Sequence, residues 1–139
     1  MKAIVEGGCL CGAVRYRASG ESSRPTLCHC NSCRRAAGAP LVAWTTFPPD
    51  RFEFTKGTPA RYRSSPPVVR TFCARCGTSL TYQHTSFPDE IDVTIASLDD
   101  PSAFPPADHT WTSEKIAWLE LADGLPRFPR SRFESTGRS

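Results

Sequence analysis

Seven cysteines in 139 residues fall into three tight groups, and this grouping constrains the fold more than any other feature of the chain. Cys9 and Cys11 form one pair, Cys73 and Cys76 another, and Cys28, Cys30 and Cys33 lie within six residues. Two short-spaced pairs can supply the four corners of a thiolate tetrahedron around zinc. Cys9, Cys11, Cys73 and Cys76 make that set, and Gly12 and Gly77 permit tight backbone just after each pair. A metal held there would tie the N-terminal segment to the middle of the chain, a structural role. Three cysteines remain. A histidine, His84 or His109, can fold back and close their tetrahedron. His29 is less suited, because a residue between two ligands in extended backbone points the other way. Without a histidine, zinc on Cys28, Cys30 and Cys33 keeps an open position for water, a thiol or a carbonyl oxygen. Spacing alone leaves the open and closed forms both standing. Iron is disfavoured, since this run is not among the usual iron–sulfur spacings.

A chain of 139 residues with 39% hydrophobic and 22% charged residues suits one domain with a buried core. Thirteen prolines and nine glycines argue for short strands and turns over long helices. No apolar run is long enough for a transmembrane helix, so no membrane partner is expected. The first twelve residues hold no apolar stretch of secretory-signal length, so a reducing cytoplasm is expected. There, and with an odd count, cysteines read as metal ligands before disulfides.

The net charge of +3 conceals a pattern. Residues 1–75 carry 12 basic and 4 acidic side chains, residues 76–126 carry 1 and 9, and residues 127–139 carry 4 and 1. A uniformly basic nucleic-acid binder would not look like this, so no nucleic-acid partner is expected. The simple expectation is that the two halves pair across one domain. A sharper one is that basic residues near the cysteines offset thiolate charge and attract a small anion.

The local pattern is mostly β. Val14 and Tyr16 alternate with Arg15 and Arg17 as in a half-buried strand. "NSCRRAAG" predicts a short helical turn with Asn31 as N-cap and Gly38 as stop. "VVRTF" and "TSLTYQ" predict a hairpin whose turn holds the Cys73–Cys76 knuckle. "IDVTIASL" predicts a strand with Ile91, Val93 and Ile95 on one face, "HTWTS" a further one, and "EKIAWLEL" a short helix or an extended edge. Trp44 and Trp118 are expected in the core, and Trp111 in a packed strand. The domain is expected over residues 1–128, with 129–139 a disordered basic tail.

"GGCLCGAVRY", "LCHCNSCRRAAGAP", "FCARCGTSLTY" and "IDVTIASLDDPSAFPPADHTW" occur in an order that resembles the glutathione-dependent formaldehyde-activating enzyme family, the CENP-V/GFA domain family. The resemblance runs from Glu6 to Phe128. It implies a mainly β, Mss4-like zinc-binding fold with cysteine knuckles in its turns. It implies two zinc ions per chain, a structural one on Cys9, Cys11, Cys73 and Cys76 and a catalytic one on Cys28, Cys30 and Cys33. It also implies a carbon–sulfur lyase that forms S-(hydroxymethyl)glutathione from glutathione and formaldehyde. Metal ligands transfer across such a likeness more safely than substrates do.

A free thiol is only a few per cent ionised at neutral pH, and zinc coordination deprotonates it without a separate base. Four thiolates on one zinc carry a net charge of −2, which nearby donors would have to offset. Arg34 and Arg35, next to Cys33, are the expected donors, or the expected carboxylate grips for an anionic thiol. The alternative to an enzyme is a non-catalytic binding module in which both metals are structural.

Overall fold

A computed structural model describes residues 4–132. Two β-sheets carry the chain. The smaller holds β1 (Ile4–Gly8), β2 (Arg15–Ser19) and β5 (Phe52–Lys56), all antiparallel in the order β1-β2-β5. The larger holds β3 (Ser23–Cys28), β4 (Val42–Phe47), β6 (Ala60–Ser65), β7 (Val68–Phe72), β8 (Ser79–His84), β9 (Ile91–Thr94) and β10 (Asp108–Thr110). Its order is β10-β3-β4-β9-β8-β7-β6, antiparallel except for the parallel pair β10–β3. One helix, α1 (Asn31–Ala37), connects β3 to β4. This is the mainly β architecture that the strand patterns and the family resemblance imply.

The strands follow from side-chain alternation. In β2, Tyr16 and Ala18 are buried while Arg15 and Arg17 face outward. Tyr16 stacks on Phe52, meets Phe54 edge-on, and its hydroxyl lies 2.6 Å from Ser97 Oγ. Around it the core draws Val14, Phe47, Leu80, Ile91, Val93 and Leu98 from both sheets. Burying one such side chain contributes roughly 1.5–3 kcal/mol.

The expected strand through Ile95 stops earlier. β9 ends at Thr94 and the chain turns through Ile95–Ser97 as a 3-10 turn. The Thr94 hydroxyl donates to the Ser79 carbonyl at 2.8 Å, and the Ser97 hydroxyl donates to the Thr94 carbonyl at 2.8 Å. Such local bonds compete with the strand ladder. Ile95 stays buried from within the turn. The "HTWTS" strand likewise ends at Thr110, and "EKIAWLEL" is neither helix nor strand beyond Glu114. There the Lys115 ammonium donates to the carbonyls of Ile116 and Leu119.

The two charge halves meet across the domain. Arg15 pairs with Asp99 at 2.5 Å and Arg24 with Glu90, while Arg132 of the C-terminal segment pairs with Asp108 at 2.7 Å. Of the expected tail, the backbone carbonyls of Pro129 and Arg130 accept hydrogen bonds from Ser113 and Trp111. Residues 133–139 lie outside the described residues. Among the described residues no helix is long and apolar enough to cross a membrane.

Candidate active site

The four-cysteine set assembles where the two sheets meet. Cys9 and Cys11 sit in the turn between β1 and β2, and Cys73 and Cys76 in the turn between β7 and β8. All four Sγ atoms lie within 4.8 Å of one another. Cys9 to Cys11 is 3.7 Å and Cys11 to Cys73 is 3.8 Å. A tetrahedron with metal–sulfur bonds of about 2.3 Å has edges of about 3.8 Å, so the donors are spaced for zinc. Backbone amides support the sulfurs: Val14 N–H donates to Cys9 at 3.2 Å, and those of Arg75 and Cys76 donate to Cys73. Gly12 and Gly77 have φ of +79° and +84°, the left-handed region the tight knuckles require. The Thr78 hydroxyl beside Cys76 lowers its thiol to about 5.

The three-cysteine set lies at the end of β3, between β10 and β4 of the larger sheet. Cys28 ends β3, Cys30 caps α1 and Cys33 is in its first turn. The Sγ atoms again lie within 4.8 Å, with Cys28 to Cys33 at 3.6 Å. The helix cap is Cys30 rather than the expected Asn31: its sulfur accepts from Cys33 N–H at 3.2 Å. Asn31 is the first helical residue, and its N–H donates to the Glu114 carboxylate at 2.7 Å. A sulfur that carries negative charge suits a helix start as an oxygen does. Gly38 ends the helix as expected, donating to the Arg34 carbonyl.

No histidine nitrogen joins these three sulfurs among the described residues. His29 is fully buried and faces away, its Nε2 2.9 Å from His109 Nδ1. His109 Nε2 in turn lies 2.8 Å from Asp123 Oδ2. Burial, then the neighbouring His109, hold the His29 imidazole down to about 4, so it is neutral at physiological pH. His84 faces the space beside the cluster, where its Nδ1 accepts from Ser86 N–H.

The three sulfurs form one wall of a cavity of about 500 Å³. Trp44, Tyr82 and Trp111 line it beside them. Farther along it carries Arg24, Asp92 and Arg132. Arg24 and Trp111 have φ of +52° and +57°, the two left-handed non-glycine residues among those described, and both line this cavity. Strained backbone of this kind gathers at functional sites. Burial pushes the Asp92 carboxyl up to about 6, although Thr46 donates a hydroxyl hydrogen bond to it at 2.6 Å.

Arg34 and Arg35 are not in this cavity. They flank a shallower groove with Gly38, Pro40, Ile116 and Trp118. Arg34 reaches back to the His29 carbonyl at 3.3 Å and to Asn31. Trp118, expected in the core, is 70% exposed in the irregular segment beyond Glu114, while Trp44 is buried as expected. The arginine beside the sulfurs is Arg70, three residues ahead of Cys73. Nη1 and Nη2 both lie 3.7 Å from Cys33 Sγ. Contacts with Cys28 and Cys30, then the Arg70 guanidinium, lower the Cys33 thiol to about 3 against the pull of burial. Cys28 is pushed the opposite way by Cys30 and Cys33. The signal for Arg70 was present: an arginine at an inward position of a β-strand needs an anion opposite it.

The family described as glutathione-dependent formaldehyde-activating enzyme has a model that matches residues 4–114, which include all seven cysteines. The chain belongs to this family. The uncharacterized lyase C29B12.13 of Schizosaccharomyces pombe is 35% identical to this chain over 81 residues, a span of 58% of each chain. A Halomonas elongata protein, provisionally named a glutathione-dependent formaldehyde-activating enzyme, is 28% identical over 127 residues. That match spans 85% of this chain and 81% of the relative. A crystal structure of a Rhodobacter sphaeroides protein shares the fold with a TM-score of 0.58 and 21% identity, over 88% of this chain and 98% of the other. Asp123, which holds His109, lies beyond the segment that matches the glutathione-dependent formaldehyde-activating enzyme family.

Proposed function

We propose that the chain is a zinc-dependent carbon–sulfur lyase that joins a thiol to an aldehyde and cleaves the adduct in reverse. The names of its relatives support a lyase, and the family's description supports glutathione and formaldehyde as the reactants. Cys28, Cys30 and Cys33 would hold the catalytic zinc, and Cys9, Cys11, Cys73 and Cys76 a structural one. The observation that carries this reading is a set of three sulfurs, without a fourth protein donor among the described residues, on the wall of an open cavity.

Zinc held by Cys28, Cys30 and Cys33 would supply the acidity that keeps an incoming thiol as thiolate at neutral pH. The cavity walls hold the aldehyde against that sulfur, which removes part of the entropic barrier. In the forward direction the carbon–sulfur bond forms as the carbonyl π bond opens, and the proton lost by the thiol ends on the new hydroxyl. Asp92 lines the same cavity with its carboxyl raised to about 6, and would carry that proton. Trp44, Tyr82 and Trp111 give the cavity an apolar surface beside the sulfurs.

Elemental analysis with and without a mild chelator tests this reading. Two zinc ions per chain, one of them exchangeable and protected by added thiol, are expected. A single inert zinc, or two equally inert ones, would instead support the binding-module alternative.

A further inference from the structure

Arg70 is buried, yet no carboxylate pairs with it among the described residues. Its Nε donates to Ser64 Oγ at 3.0 Å, and its guanidinium carbon lies 5.0 Å from the centre of the Tyr82 ring. The two terminal nitrogens converge on Cys33 Sγ. A guanidinium removed from water needs a counter-charge, and an aromatic face supplies only part of one. The remaining partner is the Cys33 sulfur.

We infer that Arg70 is the counter-cation of the three-sulfur centre, a positioning residue that sets how electron-rich Cys33 is. The inference rests on the metal reading proposed above. Three thiolates on a divalent ion leave one negative charge, and Arg70 brings the buried centre to neutrality. A fourth sulfur then enters with the cost of one excess charge rather than two. The paired N–H groups also draw density from the Cys33 lone pairs, which keeps this ligand from competing with substrate sulfur for the aldehyde. Arg34 and Arg35 lie outside the cavity and do not share this position. The fork is aimed by Ser64 and held flat by Tyr82, so lysine would restore the charge without the paired geometry.

The test uses cobalt as the metal probe. Parent, Arg70→Met, Arg70→Lys and Ser64→Ala proteins are loaded with cobalt, and a Cys33→Ser protein supplies the spectrum of the other cluster for subtraction. Equal cobalt uptake is expected, with the sulfur-to-cobalt charge-transfer band of Arg70→Met moved to longer wavelength. Alkylation of Cys33 by iodoacetamide, followed by mass spectrometry, should be about tenfold faster, the factor that a hydrogen bond to a charged group is worth. Arg70→Lys and Ser64→Ala should fall between parent and Arg70→Met, and Ser64→Ala carries the test if Arg70→Met does not fold. Cobalt bound with band and alkylation rate unmoved would overturn the inference and leave Arg70 a packing residue. Failure of the parent itself to take cobalt at Cys28, Cys30 and Cys33 would overturn the metal reading instead.

Discussion

Nε2 of His29 and Nδ1 of His109 are 2.9 Å apart in a region closed to water, and Asp123 holds the far nitrogen of His109. This chain ties the segment between Cys28 and Cys30 to the loop after β10. Neither imidazole joins the three sulfurs among the described residues. His29 Nδ1 has no partner among the described residues, so the pair is already one bond short. Replacing His109 with Phe strands the second nitrogen as well. The loss should be about 2 kcal/mol in chemical denaturation, the usual cost of an unsatisfied buried polar atom. Asp123→Asn, which can still accept from His109, should be milder.

The two clusters should respond differently to the same chemical change. Cys73→Ser removes a corner of the clip between the sheets and should leave a protein that melts broadly or fails to fold. Cys33→Ser should retain a cooperative transition while activity is lost. Circular dichroism melts of the two variants, with zinc content per chain, decide the matter; collapse of both would make the second cluster architectural.

Trp111 combines a left-handed backbone with a place on the cavity wall. Trp111→Ala and Trp111→Gly both remove the indole, but only glycine accepts φ of +57° freely. Glycine should therefore be the more stable of the two by about 1 kcal/mol. Both should raise KM for the thiol by a similar factor. Equal stability of the two variants would show that this φ is not enforced in solution.

Asp92 gives a pH dependence whose sign can be stated. Its carboxyl is raised from an ordinary 3.8 to about 6, so between those values the folded chain holds more protons than the unfolded one. Its contribution is favourable below about 4 and is lost as pH rises through 6. Asp92→Asn should thus be more stable than the parent at pH 8, by a margin that shrinks as pH falls below 6. Paired denaturation curves at matched pH remove the effect of metal loss, which is common to both proteins. If Asp92 carries the reaction proton, the same variant also loses kcat with KM little changed.

The cysteines were legible because chelating spacing is a local property, and both clusters assemble from the groups that spacing defines. The hairpin around Cys73 and Cys76 and the alternation in β2 were legible for the same reason. The end of β9 was not, because Thr94 and Ser97 divert the backbone through side-chain hydrogen bonds that hydrophobic alternation does not encode. Arg34 and Arg35 looked placed for the sulfurs by adjacency. Helix α1 carries them past the cluster, and the sheet brings in Arg70 from 37 residues away. Trp118 misled because one large apolar residue in an irregular segment has no periodicity to say which side it faces.

The Cys9–Cys11 turn belongs to one sheet and the Cys73–Cys76 turn to the other, with Leu10 N–H already bonded to Thr78 Oγ1 across the gap at 3.1 Å. Pulling the protein by its amino end would peel β1 away one rung at a time and then stop at Cys9. Beyond that point the load would pass through the four-sulfur cluster, and through the metal proposed for it, into the middle of the chain, so mechanical resistance at Cys9 should fall only once that cluster itself is stripped.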